Sequence, residues 1–206
     1  MSNKNKKKYF CWLDIETTGL DEVRDDILEM YLSLTPYGEP DTNLYEHHVI
    51  FPWRIIKRMI YGTSDYVIDM HKKSGLFDDI ERADESQFTY MKKMRVEEEH
   101  IIKSLDNLVD LNESIIYLAG NSVHFDRRFI KRYMPKLEKI FYHRLIDVSS
   151  SMEILKSQGV VIPFIPPTHR ACDDIAVSKK IYKMIKTKLR LSVVNRKKER
   201  EKGISK

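Results

Sequence analysis

Asp14 and Glu16 stand two residues apart at the end of an apolar run, in Tyr9–Leu20 (YFCWLDIETTGL). In a strand, residues i and i+2 project from one face, so the two carboxylates converge, and like charges that close call for a divalent cation. Thr17-Thr18-Gly19 reads as the exit into a loop, which predicts a pair at a sheet edge, open to solvent. A second acid, Asp126, closes the stretch GNSVHFD (Gly120–Asp126), directly after the apolar run Ser114–Ala119. That order puts it in the first turn of a helix at the carboxyl end of a strand, where ligand groups gather in open α/β sheets. An acid there also suits the helix dipole without any further duty. His169 and Asp174 form the third set. Five residues on an ideal helix are about 140° apart, so these two share a site only if His169 lies on the preceding loop, which Pro163, Pro166 and Pro167 favour. Four hard carboxylates and one imidazole suit Mg²⁺ or Mn²⁺. Zinc is not indicated, because neither cysteine has a second cysteine or a histidine at finger spacing.

Positioning these groups requires a particular order of elements. After the strand at Tyr9–Thr17, the pattern predicts strands at Ile27–Leu34 and Leu44–Phe51 joined by turn residues, an antiparallel meander. Arg54–Tyr90 reads as a helical excursion. Val96–Leu111 has a one-faced apolar pattern and predicts a helix lying on the sheet. Strand Ser114–Ala119, helix His124–Tyr133, strand His143–Val148 and helix Ser151–Lys156 then alternate, which implies parallel crossovers. Thr168 is a candidate cap for a last helix over Ala171–Ile185. The expected fold is α/β, a mixed five-stranded sheet flanked by helices, of the ribonuclease-H-like kind.

The 206 residues suffice for one well-buried core. The expected division is a basic N-terminal tail (1–8), one domain (9–188) and a basic C-terminal tail (189–206) that frays. A hydrophobic fraction of 42% with 33% charged residues excludes a disordered chain, and no apolar run approaches the roughly 20 residues of a spanning helix. Cys11 and Cys172 are expected to be buried free thiols, which with the absence of a secretory signal pattern points to the cell interior, the cytoplasm. The net charge of +5 is uneven: residues 179–206 hold 12 Lys/Arg against Glu199 and Glu201, and Lys4, Lys6, Lys7 and Lys8 open the chain. The body between is acidic, so a polyanionic substrate would need bound cations there.

The order Asp-x-Glu…Asp…His-x4-Asp, with DIETTGL at Asp14–Leu20, resembles the histidine-bearing branch of the DEDD 3′-to-5′ exonucleases. GNSVHFDRRFIKRYMPKLEKIF (Gly120–Phe141), HRLIDVSS (His143–Ser150) and HRACDDIAVS (His169–Ser178) are similar to the oligoribonuclease family, whose members degrade very short RNAs to mononucleotides. The resemblance implies that Asp14, Glu16, Asp126 and Asp174 bind two divalent ions and that His169 is the general base. It also implies that Leu20 wedges against bases, that Tyr66 stands in for a tryptophan, and that His71 contacts substrate. Ser122, Arg144 and Ser149 match positions that contact the 5′ phosphate of a dinucleotide. Arg144 would act from the second subunit of a homodimer. The family's His-Tyr-Arg is Tyr142-His143-Arg144 here, so His143 replaces the tyrosine beside the arginine.

The implied partner is short single-stranded RNA, and the implied reaction is hydrolysis to 5′-mononucleotides. Two other readings fit the same residues. A DNA 3′-exonuclease of proofreading or repair type is favoured by the spelling DIETTGL and the basic tail. A nucleic-acid-binding module that has lost catalysis belongs to a different class, against which the presence of all five catalytic residue types counts.

Overall fold

The computed structural model describes residues 6–51, 63–83 and 89–203, with side chains to residue 190. Part of the expected excursion at Arg54–Tyr90 lies outside these residues. Five strands, β1 (Lys7–Thr17), β2 (Ile27–Pro36), β3 (Tyr45–Ile50), β4 (Ser114–Gly120) and β5 (Phe141–Asp147), form one sheet in the order β3-β2-β1-β4-β5. β2 runs antiparallel to β1 and to β3, whereas β4 is parallel to β1 and to β5. The helices are α1 (Asp65–Lys73), α2 (Leu76–Arg82), α3 (Tyr90–Val109), α4 (His124–Tyr133), α5 (Pro135–Glu138), α6 (Val148–Ser157) and α7 (Ala171–Gly203).

β1 is the central strand, covered on both faces, and it reads as an almost unbroken apolar run for that reason. Its alternation divides the core. Cys11, Leu13 and Ile15 pack in a cluster with Met94, Ile101 and Leu105 of α3 and Phe129 and Ile130 of α4. Phe10 and Trp12 face the other way, toward Val148 and Leu155 of α6 and Ile175, Ile181 and Ile185 of α7. Each such fully buried side chain contributes roughly 1.5–3 kcal/mol. The Trp12 indole N–H donates to Thr35 Oγ1 at 3.1 Å, so its polar end is satisfied. By the same period of two, Asp14 and Glu16 fall on the Phe10/Trp12 face, beneath α7.

Several boundaries differ from the sequence expectation. α3 begins at Tyr90 because Thr89 has extended backbone angles, and because Tyr90 Oη bonds both the N–H and the carbonyl of Ile27, tying the helix start to β2. Glu98, on that helix, is buried and accepts the N–H groups of Lys136 (2.6 Å) and Leu137 (3.0 Å) at the start of α5. β5 ends one residue earlier than expected, since Asp147 turns into the N-cap of α6. α7 continues as helical backbone through Gly203, where fraying was expected, and Lys7 and Lys8 belong to β1 rather than to a tail. Cys11 is buried as expected, its thiol pushed up to about 12 by burial, but Cys172 is exposed in the first turn of α7.

Candidate active site

Asp14 and Glu16 do not lie at a lateral edge. They end the central strand, and Glu16 is buried while Asp14 is half-buried. β4 ends beside them at Gly120, where an added Cβ would stand 2.7 Å from the carbonyl oxygen of Leu13. Only glycine permits that approach, which delivers the Asn121–Asp126 turn to the end of β1. Asp126, buried in the first turn of α4, accepts the N–H of Ile15 at 3.0 Å, between the two β1 acids. Its carboxylate is thereby locked to the strand that carries the pair.

His169 lies outside the helix, in the left-handed region at φ 58°. The Asp174 carboxylate holds this turn by accepting Thr168 N–H (2.8 Å), Thr168 Oγ1 (3.1 Å) and His169 N–H (3.1 Å). Thr168 is therefore a donor to Asp174 rather than the helix cap; the carbonyl of Arg170 accepts the Asp174 N–H. With α7 over β1, the ligand atoms of Glu16, His169 and Asp174 lie within 4.8 Å of one another. A pocket of about 200 Å³ reaches from the Ile162–Pro167 loop to Asp14 and Asp174.

This crowding has an electrostatic cost. Loss of hydration, then Asp126, Glu16 and Asp174, drive the Asp14 carboxyl well above the usual range. Burial, then Asp174 and Glu29, push Glu16 up to about 8. Burial pushes Asp126 up to about 7, against the N–H donors that it accepts. Buried acids with so little counter-charge hold protons or a cation. The oxygen-rich donor set thus fits a hard divalent ion.

The other expected residues divide into three groups. Leu20 (79% exposed) and Tyr66 (75% exposed) are open, and Tyr66 lines a cleft of about 450 Å³ with Asp69, Lys73, Thr168 and His169. His71 is not open: it is fully buried, its Nε2–H donates to the Thr17 carbonyl at 2.9 Å, and its Nδ1, 3.8 Å from Glu16 Oε2, has no hydrogen-bond partner. It backs Glu16 instead of presenting a surface for direct contact with substrate. Of the four residues expected to contact a 5′ phosphate or stand beside it, the structure brings Ser122 and Ser149 together at the end of β5 and does not bring His143 or Arg144 to them. Asp147 Oδ1 accepts from Ser122 N–H (3.1 Å), Ser149 N–H (2.9 Å) and Ser149 Oγ (2.6 Å), and the two hydroxyls stand 3.3 Å apart. His143 and Arg144 are exposed on β5, an outer strand of the sheet.

Sequence reasoning missed Glu29, Arg170, Asp79 and Asp147. Glu29 is fully buried in β2, where its Oε1 lies 2.7 Å from His48 Nε2 and its carboxylate accepts Arg170 and the Ala171 N–H (3.0 Å). Burial pushes its carboxyl up, but these donors outweigh burial and hold it below the usual range. The available signal was a charge inside the apolar run ILEMYLSL, which a buried strand tolerates only with a partner.

The RNase_T family model, described as Exonuclease, matches residues 11–182. A probable oligoribonuclease of Dictyostelium discoideum is 33% identical over 84% of this chain and 86% of its own length. An oligoribonuclease of Neisseria meningitidis is 31% identical over 86% and 89%, and the mitochondrial oligoribonuclease of Homo sapiens is 30% identical over 82% and 68%. Among solved structures, the metal-free E. coli ExoI–ssDNA complex superposes with a TM-score of 0.59 at 15% identity, covering 88% of this chain and 40% of that one. Exonuclease I of Methylocaldum szegediense gives 0.51 at 13%, covering 84% and 36%. These likenesses show the ribonuclease-H-like fold. Among the described residues, no helix is long and apolar enough to cross a membrane.

Proposed function

The chain belongs to the oligoribonucleases of the RNase_T exonuclease family, divalent-metal-dependent nucleases, and from that we propose that it hydrolyses short single-stranded RNA from the 3′ end to 5′-mononucleotides. The observation that carries the reading is the convergence of Glu16, His169 and Asp174 at the end of the central strand, beside the half-buried Asp14 and the buried Asp126.

Asp14, Glu16, Asp126 and Asp174 would hold two divalent ions, Mg²⁺ or Mn²⁺, which when bound polarise the scissile phosphate, activate the attacking water and stabilise the departing 3′ oxygen. His169 takes the proton of that water. Its left-handed backbone keeps the imidazole off the helix and at the mouth of the cleft, within reach of the acids. Leu20 and Tyr66 offer exposed apolar surface for base stacking, and Tyr66 does so on the cleft wall opposite His169. Ser122 and Ser149, with Arg144 supplied by the second subunit, bind a 5′ phosphate, which restricts substrates to very short chains; His143, in place of the family's tyrosine, contacts substrate beside Arg144. The two serines are held together by Asp147, which supports their acting as one unit. The place of β5 as the last strand of the sheet among the described residues supports a homodimer in which Arg144 serves the partner's site.

RNAs of two to seven nucleotides, with matched DNA oligomers, test this under Mg²⁺ and Mn²⁺. The expected result is fastest release of mononucleotides from the dinucleotide, loss with DNA, and a fall in Asp14→Asn beyond the about 10- to 100-fold that an outer-shell partner costs. Faster cleavage of DNA, or Asp14→Asn cleaving RNA at the parental rate, would overturn the reading.

A further inference from the structure

Arg170 bridges the sheet, the start of α7 and the α1–α2 hairpin. Its Nε lies 3.3 Å from both Glu29 oxygens, and its Nη2 donates to Glu29 Oε1 at 3.1 Å and to Asp79 Oδ2 at 2.7 Å. Glu29 belongs to β2 and pairs in register with Glu16; Asp79 belongs to α2. The residue before Arg170 is His169, and the residue after it donates its N–H to Glu29. The cleft that contains His169 has two walls. One is the Thr168–His169 turn; the other is α1 with Tyr66, Asp69 and Lys73.

Each half of this arrangement restrains a different wall. The Glu29 half, fully buried and hydrogen-bonded to both Arg170 and Ala171, holds the His169 turn against the sheet. The Asp79 half reaches across to α2, whose Leu76, Phe77 and Ile80 pack on Leu28 of β2 together with Ile68 of α1. A guanidinium can serve two carboxylates at once because its planar fork presents donors in fixed directions; a lysine ammonium cannot reproduce that geometry.

We propose that Arg170 is a positioning residue that ties the two walls of the cleft together, fixing His169 through Glu29 and the Tyr66-bearing wall through Asp79. The assignment rests on the exonuclease reading above and adds to it a control of cleft width. It separates two effects that a general loss of stability would merge. Loosening the Glu29 half displaces the base and lowers kcat; loosening the Asp79 half frees the wall that meets the nucleotide and raises KM.

Glu29→Gln, Asp79→Asn and Arg170→Lys are compared by steady-state cleavage of an RNA dinucleotide and by hydrogen exchange of the metal-free protein. Asp79→Asn is expected to raise KM about tenfold with kcat within about twofold, and to speed exchange in residues 65–82 alone. Glu29→Gln is expected to lower kcat at least about tenfold with little change in KM, and to speed exchange around residues 168–174. Arg170→Lys is expected to do both. Equal changes in kcat and KM for all three, or exchange that rises uniformly with a fall in melting temperature, would overturn the proposal. A parent protein inactive on every RNA would sink the functional reading instead, and the two exchange patterns would still decide whether the tie exists.

Discussion

Glu16 and Glu29 occupy paired positions on adjacent antiparallel strands, yet their carboxyls are treated in opposite ways. Glu29 is surrounded by donors from His48, Arg170 and the Ala171 N–H. Glu16 has the bare Nδ1 of His71 at 3.8 Å and the acids Asp14 and Asp174 nearby. One acid is committed to holding the fold; its neighbour is left in need of positive charge. That division explains how a buried acidic cluster can coexist with a rigid strand end.

Burial, with neighbouring acids, pushes Glu16 up to about 8, and burial pushes Asp126 up to about 7, whereas unfolded carboxyls titrate near ~4. The folded metal-free chain therefore holds protons that the unfolded chain has lost, so this contribution to stability is complete below about pH 4 and disappears as pH rises to about 8. The melting temperature in chelator should fall between pH 5 and pH 8.5, and added Mg²⁺ or Mn²⁺ should recover more at pH 8.5. A metal effect that is larger at pH 5 would contradict this.

His169 combines a backbone and a side-chain requirement. His169→Asn should keep the fold, because Asn tolerates the left-handed region, while activity drops by about 10²–10⁴. His169→Val should lose the same activity and also melt earlier. Equal melting temperatures for the two variants would show that the turn is not constrained at this residue.

Shared sites can be tested by complementation. Asp14→Asn and Arg144→Ala should each be inactive alone, but a mixture of the two after subunit exchange should regain about a quarter of the parental activity, because half the dimers then carry one intact site. No recovery, with exchange verified by a tagged subunit, would place Arg144 within its own protomer's site.

Gly120 controls the approach of β4 to β1. Gly120→Ala would set a methyl 2.7 Å from the Leu13 carbonyl, and backbone must move to admit it. A loss of roughly 1–3 kcal/mol in denaturant unfolding is expected, with metal affinity falling as Asp126 is displaced from Ile15. An unchanged midpoint would refute the close-approach argument.

What could be read in advance follows from the range of each cause. The Asp14–Glu16 spacing, the GNSVHFD turn and the one-faced helices are local patterns, legible because strand and helix periods act over a few residues. Cys172 was misjudged because the face a first-turn residue presents depends on where α7 lands on the sheet. The true start of α3 was hidden for a similar reason: Tyr90 bonds Ile27, 63 positions away.

The sequence alone determined the kind of chemistry: carboxylates and an imidazole, each at the end of an element, in an order that defines the fold class. Residue type and spacing suffice for that, since they are properties of neighbouring positions. Only the tertiary structure decided that β1 is central, that His71 stands behind Glu16, and that Glu29 takes Arg170 from 141 residues further along the chain. A buried charge is tolerated only with its partner in place, and that partner is chosen by the packing of distant elements rather than by any local rule.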